Sequence, residues 1–403
     1  MIGYRYNQKI GSEDMTTEIR EIFFSLLRNA LSGRRMTDEE KADIKEKISP
    51  EVLNDLFGLA DGQDLAHLIG YALINNALIG RGDEMYDRFY AAQFVAMCRY
   101  ENINNAFVQA AEQFESAHIE YLPLKGAVMR RYYPQPWMRT SSDIDILVHN
   151  EDFDKVSKIM SELGFEMKSH DKKDASFMKN GAHIEIHFYL IKDKSIAFLQ
   201  PNFLWETAER IGCRCVLGDD IFYAYHVEHM KRHFSQGGCG VRFFIDLWLL
   251  NISVGEDMTD MRNERLAESG ALDFEKGCMR LCKVWFGNEP HDDFTQRLEA
   301  YVFSAGVYGT IDNWALAQGL QSGSTSKSLW SRIWMPYEKL CWSYPQLEGR
   351  RYLQPYYEAR RIFAMLAEGR LGRSVAELKA NRSADLSASK DIGDMLKELG
   401  IKK

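Results

Sequence analysis

Two aspartates one residue apart, Asp143 and Asp145, stand in the run DIDILV. Side chains alternate faces along a strand, so residues i and i+2 point the same way. If Ile144–Val148 is a strand, Ile144 and Ile146 face a core and the two carboxylates face outward together. Paired hard oxygens can hold Mg²⁺ or Mn²⁺ and leave positions open for phosphates. Aspartates at strand starts are common, and the pair alone says little. A third carboxylate, Glu185, lies in HIEIHF. There Ile184, Ile186 and Phe188 share one face, and His183, Glu185 and His187 share the other. Three carboxylates on one surface repel, and a cation relieves that repulsion. Glu185 therefore reads as part of a site, and His183 and His187 as polar residues on a solvated face.

Phosphate chemistry is suggested upstream. Lys125-Gly126-Ala127 follows an extended run and precedes a helix-like segment, Ala127 to Tyr133. A glycine there lets the backbone approach a phosphate, and helix amides favour its charge. Lys125 and Arg139 can add charge-assisted contacts, and Ser141 and Ser142 hydroxyl donors. A second cluster is His226-Val-Glu-His229-Met-Lys-Arg-His233. Its histidines share one helical face, and His229 and His233 have the i, i+4 spacing of zinc-binding helices. Met230 stands where such a motif carries glutamate. The run reads as a polar face lining a cleft toward the middle of the chain, with Lys231, Arg232 and Arg242 nearby and Asp246 pairing one of these bases.

The elements that must position these residues fall into three parts. Residues 1–118 read as helix after helix. Glu18 to Leu31 has helical apolar spacing, Thr37 to Glu40 is a capping box, Ser49-Pro50 starts another helix, and Asp83 to Ser116 is one long helix or two nearly continuous ones, with Phe89, Phe107, Ala111 and Phe114 inward. Residues 119–218 read as a small α/β core. Its strands are Ile119 to Leu124, Ile144 to Val148 and Phe165 to Lys168, with a hairpin of Ala175 to Lys179 and Ala182 to Leu190 about Asn180-Gly181. A helix from Glu151 to Leu163 is capped by Asn150 and stopped by Gly164. Residues 219–380 return to helices, at Ile221 to Phe234, Val241 to Asn251, Phe274 to Val284, Arg297 to Phe303, Leu329 to Trp342 and Tyr356 to Ala367. Residues 381–403 form a tail with a serine-rich break and a terminal helix that docks or frays. The fold class is α+β, a small mixed sheet flanked by helical domains on both sides.

The 403 residues imply two or three domains. An apolar share of 45% with 27% charged residues argues against disorder, and a net charge of −8 leaves no general basic footprint for nucleic acid. No stretch reaches the length of a membrane span, and the start lacks an apolar signal region. Seven cysteines include Cys213 and Cys215, and Cys278 and Cys282. They read as buried thiols, fitting a reducing, cytoplasmic setting. The late aromatics Trp330, Trp334, Trp342, Tyr344, Tyr352, Tyr356 and Tyr357 could stack a base, but read mostly as helix-bundle core or groove residues.

Gly126-Ala127, Asp143-Ile-Asp145-Ile and the later Glu185 resemble the pattern of the DNA polymerase beta-type nucleotidyltransferase superfamily. More narrowly, LKGAVMRRYY, Arg139, DIDILV, Glu185-Ile-His187 and HVEHMKRHF…DLWLL resemble an uncharacterised bacterial nucleotidyltransferase family. The superfamily motif covers about residues 119 to 190, and the narrower likeness reaches about residue 250. Ala127 replaces the superfamily's Gly or Ser, and the connection from Gly126 to Asp143 is long. The resemblance implies that Asp143 and Asp145 hold a Mg²⁺ bridging the phosphates of an NTP, and that with Glu185 they hold a second favouring the attacking hydroxyl. Glu185 also takes its proton, while Lys125 and Gly126 hold the departing pyrophosphate. The acceptor, whether protein, tRNA or small molecule, stays open. Two other readings stand beside it: a catalytically silent binding or assembly module, and a metal-dependent hydrolase built on His226, His229 and His233.

Overall fold

The computed structural model describes residues 17–191, 195–236, 238–253, 259–305, 337, 340, 344–347, 349–367 and 386–401. The first helices are α1 (Thr17–Ser32), α2 (Asp38–Lys47), α3 (Pro50–Gly62), α4 (Ala66–Asn75) and the long α5 (Tyr86–Ser116). The capping box forms as expected: the Glu40 amide donates to Thr37 Oγ1, and the Glu40 side chain accepts from the Thr37 amide. Phe89 and Phe114 of α5 are buried, whereas Phe107 and Ala111 are only half-buried at the edge of the packed stripe.

The central region holds β1 (Tyr121–Pro123), α6 (Lys125–Met129), β2 (Ile144–Val148), α7 (Phe153–Glu162), β3 (Glu166–His170), β4 (Asp174–Lys179), β5 (Ala182–His187), α8 (Pro201–Thr207), β6 (Glu209–Ile211) and β7 (Arg214–Val216). Among the described residues the strands form one mixed sheet in the order β3-β4-β5-β2-β1-β7-β6. The β4–β5 hairpin turns at Asn180 and Gly181, both at positive φ. The β6–β7 hairpin and α8 carry no strong sequence signal, because their strands are only three residues long and mostly exposed. Asn150 does not cap α7; it opens a 3₁₀ turn that runs into the helix with no side-chain cap.

The helices after the sheet are α9 (Asp219–Ser235), α10 (Val241–Ser253), α11 (Thr259–Glu268), α12 (Leu272–Gly287), α13 (Asp293–Ala305), α14 (Gln354–Ala367) and α15 (Leu386–Glu398). The terminal helix docks: Met395, Leu396 and Leu399 are buried, with Leu399 against Gly277 of α12. Tyr352 and Tyr356 are exposed rather than core, since they lie on the outer side of a short turn and of α14. Leu329 to Trp342 lies outside the described residues apart from Tyr337 and Leu340. No helix among the described residues is long and apolar enough to cross a membrane. Cys215, Cys239, Cys278 and Cys282 are buried free thiols, whereas Cys213, on the exposed β6–β7 turn, is only half-buried.

Apolar packing explains why β2 is enclosed. One cluster of side chains covers Ile144, Ile146 and Val148 with residues of α5, α7 and the β4–β5 hairpin. A second takes Leu147 with Leu122 and Leu124, and joins the N-terminal helices to α9, α10 and α12. Both faces of β2 are therefore roofed, and all five of its residues are buried.

Candidate active site

β2 and β5 run parallel in a register that sets Asp145 opposite Glu185 and Leu147 opposite His187. Asp143 stands just before β2, half-buried, so three carboxylates gather at one end of the two strands. Asp145 does not face outward. It is 2% exposed, because the second apolar cluster and α9 cover its face of the sheet. A buried carboxylate requires partners. Asp145 Oδ1 accepts from Lys125 Nζ at 2.6 Å and lies 2.7 Å from His187 Nε2. Burial alone raises its pKa; Lys125 and His187 outweigh that and hold it well below the usual carboxylate range.

His187 is likewise not on a solvated face. It is 4% exposed and lies between Asp145 and Glu185, with Nε2 3.5 Å from Glu185 Oε2. Burial lowers its pKa, but the two carboxylates overcome this and raise it. His187 in turn lowers the pKa of Glu185, against burial and the charge of Asp145. His183 is half-buried, with Nε2 2.7 Å from Ser176 Oγ and 3.7 Å from Glu185. Asp143 differs from its neighbours. Its carboxylate has no hydrogen bond or ion pair among the described residues, and its pKa is raised by burial and then by Asp145 and Glu185.

The donor set fits a divalent cation. Asp143, His183 and Glu185 can bring one ligand atom each within 4.8 Å of the others, and so can Asp145, Glu185 and His187. Hard carboxylate oxygens of this kind could hold Mg²⁺ or Mn²⁺.

The segment before β2 wraps this floor. The Leu124 amide donates to the Asp145 carbonyl, which fastens β1 and the start of α6 to β2. A Cβ at Gly126 would meet Ser141 Cβ and Oγ at 3.2 Å, so only glycine fits this approach without displacing Ser141. The helix begins at Lys125 and lasts five residues before a 3₁₀ turn, too short to sum the backbone dipoles expected of a phosphate-binding helix. Ser141 Oγ donates to the Asp143 carbonyl and accepts from Arg130, while Ser142 is exposed. Arg139 is committed elsewhere: Nε and Nη2 pair with Asp246 of α10, at 2.8 Å for Nη2. Asp246 thus takes Arg139 rather than Lys231, Arg232 or Arg242, since α10 packs its buried face against this connection. Arg242 instead bonds Asp64 and the Thr140 carbonyl.

A cleft of about 220 Å³ is lined on one side by Lys125, Gly126, Ser141, Ser142, Asp143 and Asp145, and on the other by α9 and Arg242 and Phe243 of α10. His226, His229 and His233 all lie on that second wall, as a cleft-lining face requires. His229 and His233 approach each other with Nε2 atoms 3.0 Å apart. Burial, then the positive charges of Arg232 and Lys125, lower His233 to about 4; burial, then Lys125, likewise lowers His229. Among the described residues neither metal-competent cluster includes these histidines. Phe222, Tyr225 and Phe243 also line the cleft and were not among the expected site residues. The helical period that aligns the histidines places Phe222 and Tyr225 beside them. Phe243 needed the fold, because it comes from the next helix.

A family model described as an uncharacterised nucleotidyltransferase matches residues 51–287. The chain belongs to this family. The match runs from α3 to the end of α12, so the family unit includes N-terminal helices and extends past the limits of 119 and 250 drawn from the motifs. A nucleotidyltransferase role follows from this membership at the general level. A search of curated proteins found no match.

Proposed function

We propose that this family member is a nucleotidyltransferase of the DNA polymerase beta-type superfamily. It would move a nucleoside monophosphate from an NTP to a hydroxyl acceptor and release pyrophosphate. The observation that carries the reading is the in-register pair Asp145 and Glu185 on parallel strands, with the half-buried Asp143 beside them at a cleft rim. These three carboxylates would hold Mg²⁺ or Mn²⁺. When bound, such an ion neutralises phosphate charge and makes the attacking hydroxyl more acidic.

The chain's own residues supply the rest. Arg232 on the α9 wall would draw the polyphosphate by its charge, whereas Arg242 beside it is already paired with Asp64. Gly126 lines the cleft, where its backbone would be open to the phosphates. Phe222, Tyr225 and Phe243 limit water on that wall. Neutral His229 and His233 serve as hydrogen-bond partners rather than cations. Glu185, half-buried and held below the usual carboxylate range by His187, would take the proton of the acceptor hydroxyl.

A second reading, a silent binding module, draws support from Lys125, which partly neutralises the site without any metal. The decisive experiment offers ATP, CTP, GTP and UTP separately with Mg²⁺, with and without cell lysate as acceptor source, and follows pyrophosphate. Asp143→Asn is the cleaner variant, because the Asp143 carboxylate makes no hydrogen bond or ion pair among the described residues. Metal-dependent release that this variant abolishes supports transfer. Release that it leaves undiminished removes the assignment.

A further inference from the structure

Lys125 was expected to meet phosphate, yet its ammonium lies on Asp145. Asp145 is almost fully buried, and without a compensating charge it would be costly to keep ionised. The backbone at Lys125 has φ +42, a left-handed conformation that residues with a Cβ rarely adopt. That conformation comes directly after Leu124, whose amide is fastened to the Asp145 carbonyl. The strained residue is thus held over the carboxylate it neutralises. The ammonium is also a cleft-lining group on a flexible four-carbon stem. It can reach from Asp145 toward a ligand without moving the backbone.

We propose that Lys125, beside His187 on the same carboxylate oxygen, neutralises Asp145 in the metal-free site, and that a divalent cation binding at Asp145 displaces its ammonium into the cleft, where a nucleotide phosphate takes it up. The inference rests on the nucleotidyltransferase reading and adds an order to it. A cation arriving alone must separate Lys125 from Asp145 and leave the ammonium without a partner. A cation arriving with a polyphosphate gives Lys125 a replacement partner. Metal and nucleotide therefore bind with positive coupling, and each raises the affinity of the other by the same factor.

The test is Mn²⁺ binding to the full chain, followed by the electron paramagnetic resonance of free Mn²⁺, without nucleotide. Lys125→Met binds Mn²⁺ about tenfold or more tightly than wild type, the scale of one charge-assisted contact. Lys125→Arg, which keeps the charge, stays near wild type. A non-hydrolysable NTP analogue strengthens Mn²⁺ binding in wild type and much less in Lys125→Met. Equal or weaker Mn²⁺ binding by folded Lys125→Met overturns the proposal. A second measurement keeps the wild-type protein and follows acylation of Lys125 by mass spectrometry. Mn²⁺ exposes the amine and speeds its labelling, and the analogue protects it again. Simple charge repulsion without displacement would leave labelling unchanged, and that result also overturns the proposal. Asp143→Asn separates the two levels. Mn²⁺ binding indifferent to Asp143 removes the metal-site reading itself, whereas Asp143-dependent binding with Lys125 labelling unmoved removes only the displacement.

Discussion

Removing the Asp246 carboxylate should be among the most damaging single changes near the cleft. Asp246 is 0% exposed and accepts from Arg139 Nε and Nη2 and from the Tyr133 hydroxyl, at 2.7 to 3.0 Å. Arg139, itself 8% exposed, has no other carboxylate among the described residues. Asp246→Ala leaves a guanidinium and a phenol buried without their acceptor. Breaking one side of a buried pair costs roughly 3–5 kcal/mol, which at ~1.4 kcal/mol per factor of ten is about two to three and a half powers of ten in the folding equilibrium. Replacing both charged partners together, as Arg139→Met with Asp246→Leu, should recover part of that loss, because the desolvation cost of the charges disappears while the Tyr133 hydroxyl stays unpaired. Urea unfolding followed by tryptophan fluorescence measures both variants. A loss below about 1 kcal/mol for Asp246→Ala, or a double variant as damaged as the single one, refutes the reasoning. The double variant should also keep its NTP affinity, because Arg139 is a strut between the sheet and α10. Loss of NTP binding with the fold intact would return Arg139 to the phosphate.

Other outcomes follow from single contacts. His233 has a folded pKa of about 4, below its ordinary value of 6.5, so the unfolded chain binds the extra proton first. Its contribution to stability is present above pH 6.5 and is lost as pH falls toward 4, and His233→Gln should flatten the denaturation midpoint across that window. Thr37→Ala removes the hydroxyl half of the α2 capping box and should cost about 1 kcal/mol, read from the same urea curves. Gly277→Val drives a side chain into Leu399 and against the Phe294 ring, which should cost roughly 1–3 kcal/mol and make α15 more susceptible to limited proteolysis.

Much of the scaffold could be read locally. The capping box at Thr37, the Asn180-Gly181 hairpin, the helical spacing of α9 and the strand alternation of Ile144 and Ile146 depend on residues a few positions apart, where propensity and side-chain period act directly. The same alternation placed Asp143, Asp145 and Glu185 in one neighbourhood, once β2 and β5 were taken as adjacent. Burial and partner choice could not be read that way. Whether Asp145 meets water depends on what covers β2, and the helices that cover it lie far along the chain. Asp246 chose Arg139 over nearer bases because α10 packs against the connection before β2. His187 became a buried partner of Asp145 only through the parallel register of two strands. The sequence by itself determined the candidate donor residues and the local elements, because both are properties of residue type and short spacing. The tertiary structure alone decided which charges neutralise one another, because electrostatics in a low-dielectric interior follows spatial neighbours rather than sequence neighbours.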